Sequence, residues 1–221
     1  MAHSSTMEKL ASPAPGFNLQ NFNTGYSDNM VSLETFKNYP ALLVVFICNH
    51  CPYVIHIRDS FKSFSTEYES KGLGVVAISS NDLVSYPDDS PEKMRDVALK
   101  YAYPFPYLFD ENQEVAKAYR AACTPDFFLY DKERTLVYRG QYDSSRPKNS
   151  VPVTGEDIRN ATEEVLNGDI ITTEQIPSMG CNIKWKKGSE PDYFFIMRNM
   201  VSVLNWIFQA EFFNTSAGNK K

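Results

Sequence analysis

The sequence predicts an α/β fold in which a mixed central β-sheet carries helices on both faces, and three observations point there. Ala41 to Ile47 (ALLVVFI) is an unbroken apolar run rich in β-branched residues, short enough for a strand buried on both faces. Val54, Ile57, Phe61, Phe64 and Tyr68 follow at alternating steps of three and four, the spacing of one buried helix face. Further on, Asp126 to Asp131 (DFFLYD) and Thr135 to Gly140 (TLVYRG) are strand-like runs joined through Lys132 and Glu133, which reads as an antiparallel hairpin.

In chain order, the first strand runs directly into Cys48, and Gly72 is placed to end the helix that follows. Gly74 to Ser79 (GVVAIS) is the second strand, and a strand-helix-strand unit of this kind pairs its strands in parallel. After a loop, Ser90, Pro91 and Glu92 supply the N-cap, first-turn proline and first-turn acid of a helix from Pro91 to about Tyr101. Pro104 and Pro106 prevent its continuation, and Val115, Ala118 and Ala122 suggest a further helix from Glu114 to Ala121. Beyond the hairpin, Thr154 to Asp157 resembles a capping box with Asp in place of Glu, opening a helix through Ile158, Ala161, Val165 and Leu166 that Gly168 closes. The order β-α-β-α-α-β-β-α, with parallel strands first and a hairpin under a covering helix last, suits a mixed sheet between helical layers.

A chain of 221 residues, 43% of them apolar, can bury one sizeable core. A net charge of -5 gives no surplus of Lys and Arg for phosphate backbones or anionic lipid, so no nucleic-acid partner is expected. Four cysteines are too few for a disulfide scaffold, and the N-terminus lacks the apolar stretch of a secretory signal. A reducing, cytoplasmic setting is therefore expected, with MAHSST a candidate leader ahead of Met7. Residues 1–14 read as a tail, 15–190 as the domain and 191–221 as a C-terminal helical extension. In that extension Ile196, Met200, Val203, Leu204, Ile207 and Phe208 form an apolar stripe. Arg198, Asn199, Asn205, Gln209 and Glu211 interrupt it too often for a membrane-spanning helix, so docking on its own domain or in a homodimer is expected.

The chemistry centres on Phe46 to Val54 (FICNHCPYV), where Cys48 and Cys51 flank His50. In a reducing compartment such a close pair serves catalysis or metal binding more often than structure. A cysteine at a helix start meets the partial positive charge of unsatisfied N–H groups, which favours the nucleophilic thiolate. On that ground Cys48 is expected to attack a disulfide and Cys51, on the same helical face, to resolve the mixed disulfide. A protonated His50 would add positive charge beside Cys48; the alternative is a histidine merely exposed at a helix start.

CNHC after ALLVVFI, TPDFF at the start of the third core strand, and the lead-in APGFNL with VSLETFKNYPALLVVF together resemble the thioredoxin superfamily. Within it they resemble the redoxin branch that also holds alkyl hydroperoxide reductase and thiol-specific antioxidant proteins (AhpC/TSA). FICNHCPYV, AACTPDFFLYD, YRGQYDSSRP and PSMGCNIKWK, in this order, are similar to the blocks of one thioredoxin-like redoxin family, over roughly Pro15 to Phe194. The resemblance implies a thioredoxin-like fold with a redoxin-type N-terminal extension and a helical insertion. It implies thiol-disulfide oxidoreductase activity through Cys48 and Cys51, a His50 that marks a more oxidising pair, no cofactor, a disulfide-bearing protein or small thiol or peroxide as substrate, and an electron-donor thiol system. It also implies a cis Pro125 opposite the pair, with the Thr124 backbone offered to an extended substrate; a trans proline that simply starts a strand is the alternative.

Peroxiredoxins share the fold, and there Cys51 would hold the peroxidatic place and Cys48 that of a threonine. Val44 stands where that family opens its motif with proline, and its arginine falls near Pro125. Arg139 or Arg146 could substitute, against the ordinary role of a salt-bridged arginine. Cys48, His50, Cys51 and Cys123 also form a possible soft ligand set, but the cysteine spacing of metal carriers with this fold is longer, and no metal is expected. A redox-inactive interaction module is the remaining alternative. Cys123 reads equally as a third redox thiol or a small buried residue, and Cys181 as structural or as an auxiliary resolving thiol.

Overall fold

The structure, a computed structural model, describes residues 2–26 and 28–194. The ALLVVF run forms strand β4 (Ala41–Phe46), buried along its whole length. On one side it pairs in parallel with β5 (Leu73–Ser79), Ala41 opposite Leu73 and Phe46 opposite Ile78. On the other it pairs antiparallel with β8 (Asp126–Tyr130), Leu42 opposite Tyr130 and Phe46 opposite Asp126. A strand so enclosed needs apolar residues on both faces, which is why it reads as a continuous run rather than an alternation. Strand β6 (Tyr107–Phe109) continues the sheet in parallel from β5, and β2 (Asn18–Asn21) and β3 (Met30–Ser32) extend it antiparallel. Strand β9 (Leu136–Tyr138) lies beside β8, giving the order β3-β2-β6-β5-β4-β8-β9 among the described residues. This is the expected mixed sheet, with N-terminal strands added at one edge.

Helix α1 (Pro52–Glu69) buries the predicted stripe of Val54, Ile57, Phe61, Phe64 and Tyr68. The Phe61 ring meets Phe105, Phe127 and Tyr142 at centroid distances of 5.3, 5.8 and 6.0 Å, so aromatic packing fixes α1 on the sheet. Helix α2 (Pro91–Tyr101) opens as expected, Ser90 Oγ accepting from the Lys93 N–H. Helix α3 (Glu114–Ala118) ends before the expected Ala121. Arg120 turns left-handed at φ +51, and the Ala121 N–H closes onto the Ala116 carbonyl at 2.9 Å. Helix α4 (Glu156–Asn167) closes at Gly168, but the expected capping box does not form. Gly155, at φ +68, is the N-cap, and Asp143 Oδ2 accepts the N–H groups of Thr154 and Gly155 at 2.8 and 2.7 Å. A carboxylate from another segment does what the local side chains were expected to do.

A second sheet escapes the sequence reading. Strands β1 (Ala2–Ser4), β7 (Cys123–Thr124) and β10 (Met179–Asn182) form it in the order β1-β10-β7, all antiparallel. Residues expected to begin as a tail thus begin with a paired strand. The next residue, Ser5, accepts from the Arg139 guanidinium at 2.7 Å, and the same group meets Asp126 at 3.1 Å with both charges fully buried. Arg139 also lies 3.8 Å from the Phe128 ring centroid. The chain divides into two units, residues 1–185 and 186–221. The apolar stripe from Ile196 to Phe208 lies outside the described residues, among which no helix is long and apolar enough to cross a membrane.

Candidate thiol site

Strand β4 leads into Cys48, and α1 begins four residues after it. Cys51 is the N-cap of α1 and Pro52 its first residue, while Cys48 to His50 form a bend ahead of it. The expectation that the helix starts at Cys48 and carries both sulfurs on one face is therefore not met. The partial positive charge of an 18-residue helix bears on Cys51 instead.

The expected partner residues do converge. The Thr124–Pro125 peptide bond is cis. Cys51 Sγ lies 3.0 Å from the Thr124 carbonyl oxygen, and Cys48 Sγ lies 3.5 Å from Thr124 Oγ1. All four cysteines are thiols. The Cys181 and Cys48 thiols, the Thr124 hydroxyl and the Val54 N–H act on Cys51 as donors that favour its thiolate. The Thr124 carbonyl suits a protonated sulfur, but the four donors outweigh it. They hold the Cys51 thiol well below its ordinary 9.0, the Cys181 contact contributing most and burial opposing. The Cys48 thiol moves up, through its hydrogen bond to Cys51, burial and the Asp89 carboxylate in that order. The Cys181 thiol likewise moves up, chiefly through its hydrogen bond to Cys51. The three thiols titrate together, and the N-terminus of α1 and the surrounding donors favour the anion on Cys51.

Asp89 is a site residue that sequence reasoning missed. It is fully buried, accepts from Asn49 N–H at 2.8 Å and from Asn81 Nδ2 at 2.7 Å, and its Oδ2 lies 2.8 Å from His50 Nδ1. The His50 ring stacks on Tyr86, with centroids 5.6 Å apart and planes 6° from parallel. Tyr107 donates to Asn49 Oδ1 at 3.0 Å, so the bend between the cysteines is held from several sides. A positive charge on His50 would face Asp89, and the carboxylate acts on Cys48 in the sense opposite to the histidine. Ligand atoms of Cys48, His50 and Asp89 lie within 4.8 Å of one another, a sulfur, nitrogen and oxygen set that could hold a divalent ion. This trio differs from the set expected from sequence, since Asp89 replaces Cys51 and Cys123.

Cys123 is fully buried on β7, its thiol donating to the Pro125 carbonyl at 3.5 Å, and burial pushes it well above 9.0. Cys181 is half-buried on β10 and sits opposite Thr124 in the β-ladder. Arg139 is committed to the core pair with Asp126. Arg146 donates to the carbonyls of Asp143 and Ser145 at 2.6 and 2.7 Å and to the Gln141 side chain. A cleft beside Pro125 is lined by Tyr53, His56, Gln141, Arg146 and Met179 among others; neither Cys48 nor Cys51 lines it.

The AhpC/TSA family profile matches residues 10–139. A hypothetical protein from Sinorhizobium meliloti 1021 is 48% identical with a TM-score of 0.81, the match covering 84% of this chain and 100% of that one. An uncharacterized conserved protein from Geobacillus kaustophilus is 50% identical, also at 0.81, over 84% of this chain and 97% of the other. The thioredoxin domain of a thiol-disulfide oxidoreductase from Bacteroides vulgatus shares the fold at 16% identity and a TM-score of 0.51, over 69% of this chain and 97% of that one. No curated protein matches the chain.

Proposed function

Because the chain belongs to the AhpC/TSA family, within the thioredoxin-like redoxins, we propose that it is a thiol-disulfide oxidoreductase that cycles Cys48 and Cys51 between dithiol and disulfide. One observation supports this above the rest: both sulfurs meet at Thr124, beside a cis proline and at the N-cap of α1. The electrostatics revise the division of labour. Cys51, as the thiolate, attacks the substrate disulfide, forms a mixed disulfide and releases one substrate thiolate; Cys48, protonated at rest, loses its proton, attacks the Cys51 sulfur and releases the second as the ring closes. Two equivalents of a donor thiol, or one donor dithiol, then restore both cysteines and leave as the donor disulfide. His50 and Asp89 fix the bend so that the two sulfurs keep their spacing.

The test exposes reduced protein to a disulfide probe and maps the product by peptide mass. Wild type is expected to yield a Cys48–Cys51 bridge. Cys51→Ser should carry exchange no further than a mixed disulfide with the probe, whereas Cys48→Ser should stop with Cys51 bonded to a sulfur other than Cys48. Wild type that never forms the Cys48–Cys51 bridge would end the proposal.

Thiol peroxidase chemistry at Cys51 is the second reading, because the same lowered thiol serves peroxide as well as disulfide. Two features weigh against it. Val44 takes the place of the proline that opens the peroxidase motif, and both candidate arginines are engaged elsewhere. Rapid peroxide consumption that survives Cys48→Ser and dies in Cys51→Ser would select this reading over disulfide exchange.

A further inference from the structure

In a thioredoxin-like groove the backbone beside the cis proline is where an extended substrate is expected to pair, and here that place is taken. Thr124 is paired antiparallel with Cys181, and Cys123 with Asn182. The approach is close: a Cβ on Gly180 would lie 1.9 Å from the Thr124 carbonyl oxygen, so only glycine fits there. On its other edge β10 is covered by β1, with Ala2 opposite Cys181. The strand is anchored at both ends. Ser178 O accepts from Ser5 N–H at 2.8 Å, and Lys184 O accepts from Asp82 N–H at 2.8 Å and Gln113 Nε2 at 2.9 Å. Both β1 and β10 lie outside residues 10–139, the part matched by the family profile.

Burial makes this arrangement consequential. Cys48 is 2% exposed and Cys51 0%, so a bulky disulfide cannot align with either sulfur, whereas Cys181 is partly exposed and sits opposite Thr124, whose carbonyl oxygen lies 3.0 Å from Cys51 Sγ. We infer that β10 stands in place of a substrate strand and that Cys181 is the relay thiol through which the buried pair exchanges with external disulfides. This rests on the exchange function proposed above. Cys181, losing its proton, attacks an external disulfide RSSR, forms Cys181–SR and releases one RS⁻. The Cys51 thiolate attacks the Cys181 sulfur, forms Cys51–Cys181 and releases the second RS⁻. Cys48, losing its proton, attacks the Cys51 sulfur, forms Cys48–Cys51 and frees Cys181 as thiolate. In sum, one RSSR, the Cys48 thiol and the Cys51 thiolate become one RSH, one RS⁻ and one protein disulfide, and Cys181 takes back the proton that it lost.

The experiment uses the full chain and the chromogenic disulfide dithiobis(nitrobenzoate). Cys181→Ser is expected to slow formation of the Cys48–Cys51 bridge about tenfold or more, because the remaining thiols are buried. In Cys48→Ser, where Cys181 is intact, the expected product is a Cys51–Cys181 bridge. A wild-type rate in Cys181→Ser, or a Cys51–nitrobenzoate adduct beside an unreacted Cys181 in Cys48→Ser, overturns the relay. Neither result touches the exchange function, which fails on a different outcome, the absence of a Cys48–Cys51 bridge in wild type.

Discussion

Cys51 has two demands placed on it that pull in opposite directions: full burial disfavours a charge, and the donors around it favour one. The donors prevail because hydrogen bonds to an anion are stronger than those between neutral groups, and several act on one sulfur. The thiol therefore stays ionised as pH falls well below its ordinary 9.0. The expected signature is thiolate ultraviolet absorbance in the reduced protein at mildly acidic pH, retained in Cys48→Ser and lost in Cys51→Ser. Retention in Cys51→Ser would move the anion to another sulfur. At this scale Cys48, Cys51, His50, Thr124 and Pro125 were all legible, because a motif names residues directly. Asp89 was not, since nothing in the acidic loop sequence YPDDS distinguishes the carboxylate that turns inward from its neighbour Asp88. The place of the helix start was misjudged: the N-cap is Cys51 rather than Cys48, and that position decides which sulfur feels the helix field.

Elements with a strong periodic signal were found where expected: β4, α1, β5, α2 and the β8–β9 hairpin all follow their hydrophobic patterns. Short strands were not. Strands β1, β7 and β10 span two to four residues each, too few to show a repeat, and they form because β1 and β7 pair with the two edges of β10. Strand β10 offers the sharpest test of this scale. Gly180→Ala places a methyl group against backbone at Thr124, which cannot move aside as a side-chain end would. The variant is expected to lose roughly 1–3 kcal/mol of stability in denaturant titration, in the range of overpacked sites. Unchanged stability would mean that β10 is not seated on Thr124 as described. At the opening of α4, Thr154 and Asp157 satisfy a local pattern, yet Thr154 Oγ1 accepts only from the Glu156 N–H and the distant Asp143 accepts from the Thr154 and Gly155 N–H groups.

Across the whole molecule the core is unusually rich in buried tyrosine hydroxyls. Tyr142, hydrogen-bonded to Ser60 at 2.9 Å, is pushed by burial from 10.0 up to about 12, and burial also raises Tyr107, Tyr119, Tyr130 and Tyr138. Between about pH 10 and 12 the unfolded chain has released these protons and the folded chain retains them, so stability falls as pH rises through that window. Tyr142 alone accounts for about 2 kcal/mol of the fall. Denaturant midpoints measured across the window should drop more steeply for wild type than for Tyr142→Phe, and equal slopes would show that this ring is not protected in the folded state. The sequence by itself determined the fold class, the order of the major elements and the identity of the cysteine pair, because these depend on hydrophobic period and on residue types close together in the chain. Tertiary structure decided which sulfur carries the charge, what faces His50, and that the chain's own strand lies on Thr124. Those depend on groups brought together from segments tens of residues apart, and burial, hydrogen bonding and charge act through distance in space rather than separation along the chain.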